Sequence, residues 1–174
     1  MIFVACGVFA CSAQATAPPQ GFARLGPATP EQQTYSRARE LAINLVRGAA
    51  PELDARDRRL AAGVMRSLRD AAVLVSATAK ARETCAARQY SMFINAYMGN
   101  RIYICDEVRA HARGGSASAT AVIAQGMIHE AVHLAGQMDE CEATRFEVGV
   151  MQLTIGVKSR GSQIRYGREC RGRW

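Results

Sequence analysis

Two of the three histidines in this chain stand four residues apart around a glutamate, in the run His129-Glu130-Ala131-Val132-His133. On a helix, residues i and i+4 lie one above the other, so both imidazoles can reach one metal ion. Glu130 falls one residue round, where its carboxylate can hold a water and act as a general base without being a ligand. The residues leading in, Val122, Ile123, Met127 and Ile128, are apolar, as a buried helix requires. Reading the pair as ordinary core histidines is less favourable, because two imidazoles and a carboxylate are costly to bury without a cation to organise them.

Three acids follow closely, Asp139, Glu140 and Glu142. Two imidazoles and one carboxylate would leave the fourth position of a tetrahedral zinc open, which is the catalytic arrangement rather than the structural one. The stretch His129 to Asp139, HEAVHLAGQMD, resembles the zincin metallopeptidases. It is similar to the metzincin pattern HExxHxxGxxH with aspartate in the last place, as in the snapalysin-like small secreted proteases. That resemblance implies a sharp turn at Gly136 and makes Asp139 the third ligand. It also implies a methionine turn, for which Met151 is the candidate, although Met151 sits inside an apparent helix. A competing resemblance lies in Glu140-Cys141-Glu142-Ala143-Thr144, which is similar to the glutamate-bearing second helix of gluzincins and makes Glu140 the ligand; Thr144 replaces the usual Asp or Asn. If residues 138–155 form one helix, Ala143, Phe146, Val150 and Leu153 define its inward stripe, with Asp139 near the centre and Glu140 about 100° round. The order of expectation is therefore Asp139, then Glu140, then Glu142. For all three the plainer reading is an acidic first turn favoured by the helix dipole. Arg145, Tyr103 and Tyr166 are equal candidates for holding a developing oxyanion.

The elements that must position these groups read as α+β and mainly helical, a zincin-like single domain with a small hairpin or edge strand before the active helix. Thr29-Pro30-Glu31 starts a helix that runs to about Val46 and ends at Gly48. Pro51 opens a second helix, with Leu53, Leu60, Val64, Leu68, Ala71 and Leu74 as its stripe. Met92 to Tyr97, a turn at 98–100 and Arg101 to Cys105 read as a hairpin, whose second strand could pair with an extended peptide substrate. His111 to Ser118 reads as a loop, Ser118 to Ala135 as the active helix and Met138 to Ile155 as the last one.

Composition places this assembly in one folded unit. At 49% hydrophobic and 21% charged, the chain has enough apolar surface for a core and too little charge for a disordered protein. Residues 1–15 are uncharged and read as a signal peptide cleaved after Ala15, followed by a flexible segment at 16–30 and the domain proper at 31–174. Removing the signal takes Cys6 and Cys11 and leaves four cysteines, for which Cys85–Cys105 and Cys141–Cys170 are the favoured pairs. A four-cysteine zinc site is excluded by the lack of close Cys-x-x-Cys spacing. Of the net charge of +7, Lys158, Arg160, Arg165, Arg168, Arg171 and Arg173 against Glu169 place a large part in the tail 158–174. That tail could contact an anionic surface, but no nucleic-acid motif accompanies it. No apolar run has the length of a membrane span. The combined expectation is an exported zinc metalloprotease acting on peptide or protein. The alternatives are a non-catalytic exported zinc-binding module contacting an anionic surface, and a zinc amidase acting on a small substrate.

Overall fold

A computed structural model describes residues 19–88, 91–95, 98–156 and 170. The segment read as a signal peptide, most of the basic tail and Tyr166 lie outside the described residues. The element order is β1 (Phe22–Ala23), α1 (Pro30–Ala49), α2 (Ala55–Asp70), β2 (Ala72–Ser76), α3 (Ala79–Arg88), β3 (Met92–Ile94), β4 (Arg101–Ile104), α4 (Asp106–Gly114), α5 (Ala117–Leu134) and α6 (Glu140–Ile155). The architecture is α+β and mainly helical, as expected.

The first two helices start on side-chain caps. Thr29 accepts from the Gln32 amide with Pro30 in the first turn, and Asp54 accepts from the Asp57 amide at 2.8 Å. Gly48 does not end α1. It stays helical where α1 passes the end of α6, with room for a Cβ only at contact distance from Thr154. Pro51 follows the end of α1 and does not open α2, which begins at its Asp54 cap.

The stripe extended to Leu74 crosses a real boundary. Ala71 to Ser76 has the β-branched Val73 and Val75 on one face and Leu74 on the other, and the chain extends there as β2. The sheet order is β1-β2-β4-β3, with β2 parallel to β4 and the expected β3–β4 hairpin antiparallel in the register Phe93↔Tyr103. β4 is therefore an inner strand, hydrogen-bonded on both sides, and Arg101 to Cys105 cannot serve as a free edge for a substrate strand. The segment read as a loop at 111–118 mostly belongs to α4 and the start of α5. The paired glycines stop α4, with Gly115 taking the left-handed conformation at φ +64°.

One face of the sheet, with Val73, Val75, Met92, Ile102 and Ile104, joins the helices in the main core. The other face gathers Phe93 and Tyr103 with Phe22, Leu74 and the Cys85–Cys105 bridge. Both favoured disulfides are present, the second joining Cys141 in the first turn of α6 to Cys170. At the centre lies α5, packed against α1, α2, α4, α6 and the sheet, which is why it is apolar nearly all round. Among the described residues no helix is long and apolar enough to cross a membrane.

Candidate metal centre

The last two turns of α5 are buried, and His129, Glu130 and His133 are buried with them. At its end Gly136 turns the chain at φ +99°, a conformation that favours glycine, so the following residues fold back over the helix. The backbone carbonyl of Gln137 consequently accepts a hydrogen bond from His133 Nδ1 at 2.7 Å. After this short connection α6 returns alongside α5. Asp139 is its N-cap, its carboxylate accepting from the amides of Cys141 and Glu142 at 2.9 and 3.0 Å.

That capping role takes Asp139 off the helical stripe. Helical periodicity placed Asp139 on the inward stripe, but the residue is extended at ψ 119° and precedes the helix, so the stripe does not apply to it. The same extrapolation placed Leu153 inward, whereas it is exposed. Glu142 turns away to Arg56 and Arg145. The acid brought to the histidines is Glu140. Its Oε2 lies 3.0 Å from His129 Nε2 and 3.3 Å from His133 Nε2, and the two Nε2 atoms are 3.2 Å apart.

These three atoms fit a metal ion. Ligands bonded at about 2.0 Å to a tetrahedral ion stand about 3.3 Å from one another, close to the triangle found here. The tautomers agree as well. Because Gln137 O can only accept, His133 Nδ1 carries a proton, and the Glu147 carboxylate takes the same role at His129 Nδ1, 3.2 Å away. Each Nε2 then faces the other and a Glu140 oxygen, so positive charge is needed among them, supplied by imidazole protons in the absence of metal or by a bound ion. His129, His133 and Glu140 form a group that could hold a metal ion.

Glu147 is a site residue that sequence reasoning missed. It is fully buried, and its other oxygen accepts from Gln125 Nε2. Gln125, His129 and His133 are successive i, i+4 positions on α5, while Glu147 lies two turns beyond Glu140 on α6, so the two antiparallel faces interlock. The available signal was a glutamate between the apolar Phe146 and Val148 at that spacing. Carboxylates behind a ligating histidine fix its ring and raise its basicity. Glu147→Gln should therefore weaken metal binding by about 10- to 100-fold with the fold intact. Competition with a chromogenic chelator measures this; unchanged affinity would show that Glu147 does not set His129.

The electrostatics of the metal-free site follow from the same contacts. Burial opposes charge on His129, but its hydrogen bonds to Glu140 and Glu147 prevail and the imidazole is pushed up to about 10. Burial likewise opposes charge on His133, and the hydrogen bond to Glu140 outweighs it, raising that pKa too. Hydrogen bonds from both rings hold the Glu140 carboxyl well below the usual range. Burial pushes Glu130 up to about 7, with the neighbouring histidines pulling it back in part. No side-chain hydrogen bond ties Glu130 to another described residue.

The raised groups Glu130 and His129 act with one sign over a wide pH window, while the lowered Glu140 changes stability only below 4.5. The Glu130 contribution to stability is complete below 4.5 and lost as pH rises through about 7; that of His129 is complete below 6.5 and lost through about 10. Kept in chelator, the protein should lose several degrees of thermal midpoint between pH 4.5 and 10. Metal binding should strengthen over the same rise, because the ligands must shed protons first. A calorimetric midpoint that climbs in chelator would contradict the arrangement.

The oxyanion candidates separate. Arg145 is held by Asp57 through two bonds of 2.6 and 2.7 Å and by Glu142. Tyr103 is buried on the far face of the sheet, stacked on Phe93. Met151 is buried within α6, inside a helix and not in a turn. In comparisons with known proteins, no family model, no curated protein and no solved structure matches the chain.

Proposed function

We propose that the chain is an exported, zinc-dependent metallopeptidase of the zincin kind, with His129, His133 and Glu140 as ligands and Glu130 as general base. The observation that carries this reading is the convergence of three ligand atoms within 3.0–3.3 Å of one another beside a buried glutamate that is not among them. Glu140 as third ligand favours the gluzincin resemblance over the aspartate-bearing metzincin one. Two disulfides support an oxidising compartment, since such bonds are rare in the cytosol.

Zinc at this position would polarise a substrate carbonyl and make a water acidic near neutral pH. The remaining work belongs to the chain. His129 and His133 present Nε2 because Glu147 and Gln137 hold their Nδ1 protons. Glu130, with a pKa pushed up to about 7, is matched to taking a proton from water and returning it to the leaving amine nitrogen. Its burial keeps that proton from bulk solvent.

The test is elemental analysis of protein purified without chelator, followed by digestion of a proteome-derived peptide mixture with and without chelator. One zinc per chain and chelator-sensitive cleavage are expected. Stoichiometric zinc without turnover would favour the binding-module reading, and absence of metal would overturn the site altogether.

A further inference from the structure

Beside His133 lies a half-open cleft of about 570 Å³. Its apolar wall is the end of α5 and the turn after it, with Leu134, Ala135 and the exposed Met138. Its polar wall is α2 with Arg66 and Asp70, together with Asn100 before β4. A volume of this size lies within the range of small-ligand clefts.

Two groups in the polar wall are set for a ligand. The first is Arg66. Helix α2 approaches the end of α5 so closely at Gly63 that a Cβ there would lie 3.1 Å from Ala135 Cβ and 3.9 Å from Arg66 Nη2. The guanidinium thus sits at this crossing, next to a residue only two beyond His133. Among the described residues Arg66 has no ion pair or side-chain hydrogen bond, not even with Asp70 one turn on. The second is Asn100. Its Nδ2 donates to Ser67 O at 3.4 Å, while its Oδ1 is buried with no hydrogen-bond partner. A buried acceptor left unmatched is costly, and an N–H brought to it would relieve that cost.

We propose that this cleft selects a peptide residue carrying a carboxylate, with Arg66 as its counter-charge and Asn100 Oδ1 accepting a backbone N–H. Asp70 lines the same cleft but lies a turn further along α2, so a carboxylate held at the crossing is nearer the guanidinium than the repelling charge. That the bound residue neighbours a cleaved bond rests on the hydrolase reading above; the binding itself does not.

The experiment has two arms. In metal-free protein with chelator, the Arg Nε–Hε and backbone amide signals are followed during titration with N-acetyl-glutamyl amide, N-acetyl-leucine or N-acetyl-glutaminyl amide. The carboxylate probes should shift Arg66, Gly63, Asn100 and Leu134 saturably, the glutaminyl control should bind about tenfold more weakly, and Arg66→Ala should abolish the difference. Response to the glutamyl amide places a side chain in the cleft, and response to N-acetyl-leucine alone places a chain end there. No saturable shift, or equal shifts at Arg59 and Arg69 of the same helix, would overturn the proposal. In the second arm, zinc-loaded protein should cleave a Glu-containing peptide with kcat/KM about tenfold above its Gln counterpart, and Arg66→Ala should bring that ratio near one. Specific probe binding without chelator-sensitive cleavage sinks the hydrolase reading and leaves the cleft assignment standing. Cleavage indifferent to the acid sinks the cleft assignment alone.

Discussion

Glu130→Gln is expected to lower peptide hydrolysis by about 10²- to 10⁴-fold while zinc occupancy stays nearly full. The amide keeps the shape of the carboxyl group, so the buried turn of α5 need not rearrange, but it cannot accept a proton. Occupancy should hold because Glu130 is absent from the three-atom cluster made by His129, His133 and Glu140. It should even be slightly easier to bury, since the carboxylate it replaces carries a desolvation penalty that lifts its pKa to about 7. A pH–rate profile adds an independent reading: the acid limb of kcat/KM in the unsubstituted protein should reflect a base in that region, shifted by bound metal. Loss of zinc in the Gln variant would make Glu130 a structural or ligating residue. Unchanged hydrolysis would mean that the measured activity arises elsewhere.

How far the sequence could be read depended on whether a feature was local. The i, i+4 histidines, the stop at Gly136 and the hairpin around residues 98–100 are local, and the structure contains each of them. The disulfide partners were legible because the hairpin and the second helix framed them. Failures came where a long-range partner decided the outcome. Val73 and Val75 become a strand because β4 lies ready to pair with them, and a helical stripe that ended fortuitously at Leu74 concealed it. The edge strand was misplaced for the same reason, since nothing local in Arg101 to Cys105 announces a parallel neighbour from thirty residues earlier. Glu147 escaped notice because its role is visible only once α6 is laid against α5. At Asp139 the error was different in kind: periodicity was extended one residue past the helix, where a cap takes its own backbone conformation.

The choice between Asp139 and Glu140 gives the second large effect. Glu140→Ala should weaken zinc binding on the order of a thousandfold and remove hydrolysis with it, because it deletes one of three bonds and leaves the two imidazoles alone to hold the ion. The side chain is half exposed, so its loss opens little cavity and the fold should persist, held by the Arg145–Asp57 pair and the Cys141–Cys170 bridge at the same end of α6. In chelator the variant should also report on the metal-free site. Without Glu140 the first hydrogen bond supporting a charged His129 is gone, and the imidazole pKa should fall from about 10 towards its ordinary value, readable from ring-proton titration. Asp139→Ala should behave oppositely. It removes the cap on the amides of Cys141 and Glu142, costing about 1 kcal/mol of stability, while zinc affinity drops only as far as fraying of the first turn displaces Glu140. Parallel titrations of the two variants with zinc and thermal melts in chelator separate the roles: if Asp139→Ala loses the metal while Glu140→Ala keeps it, the third ligand is the aspartate and the geometry of this turn must change when the ion enters.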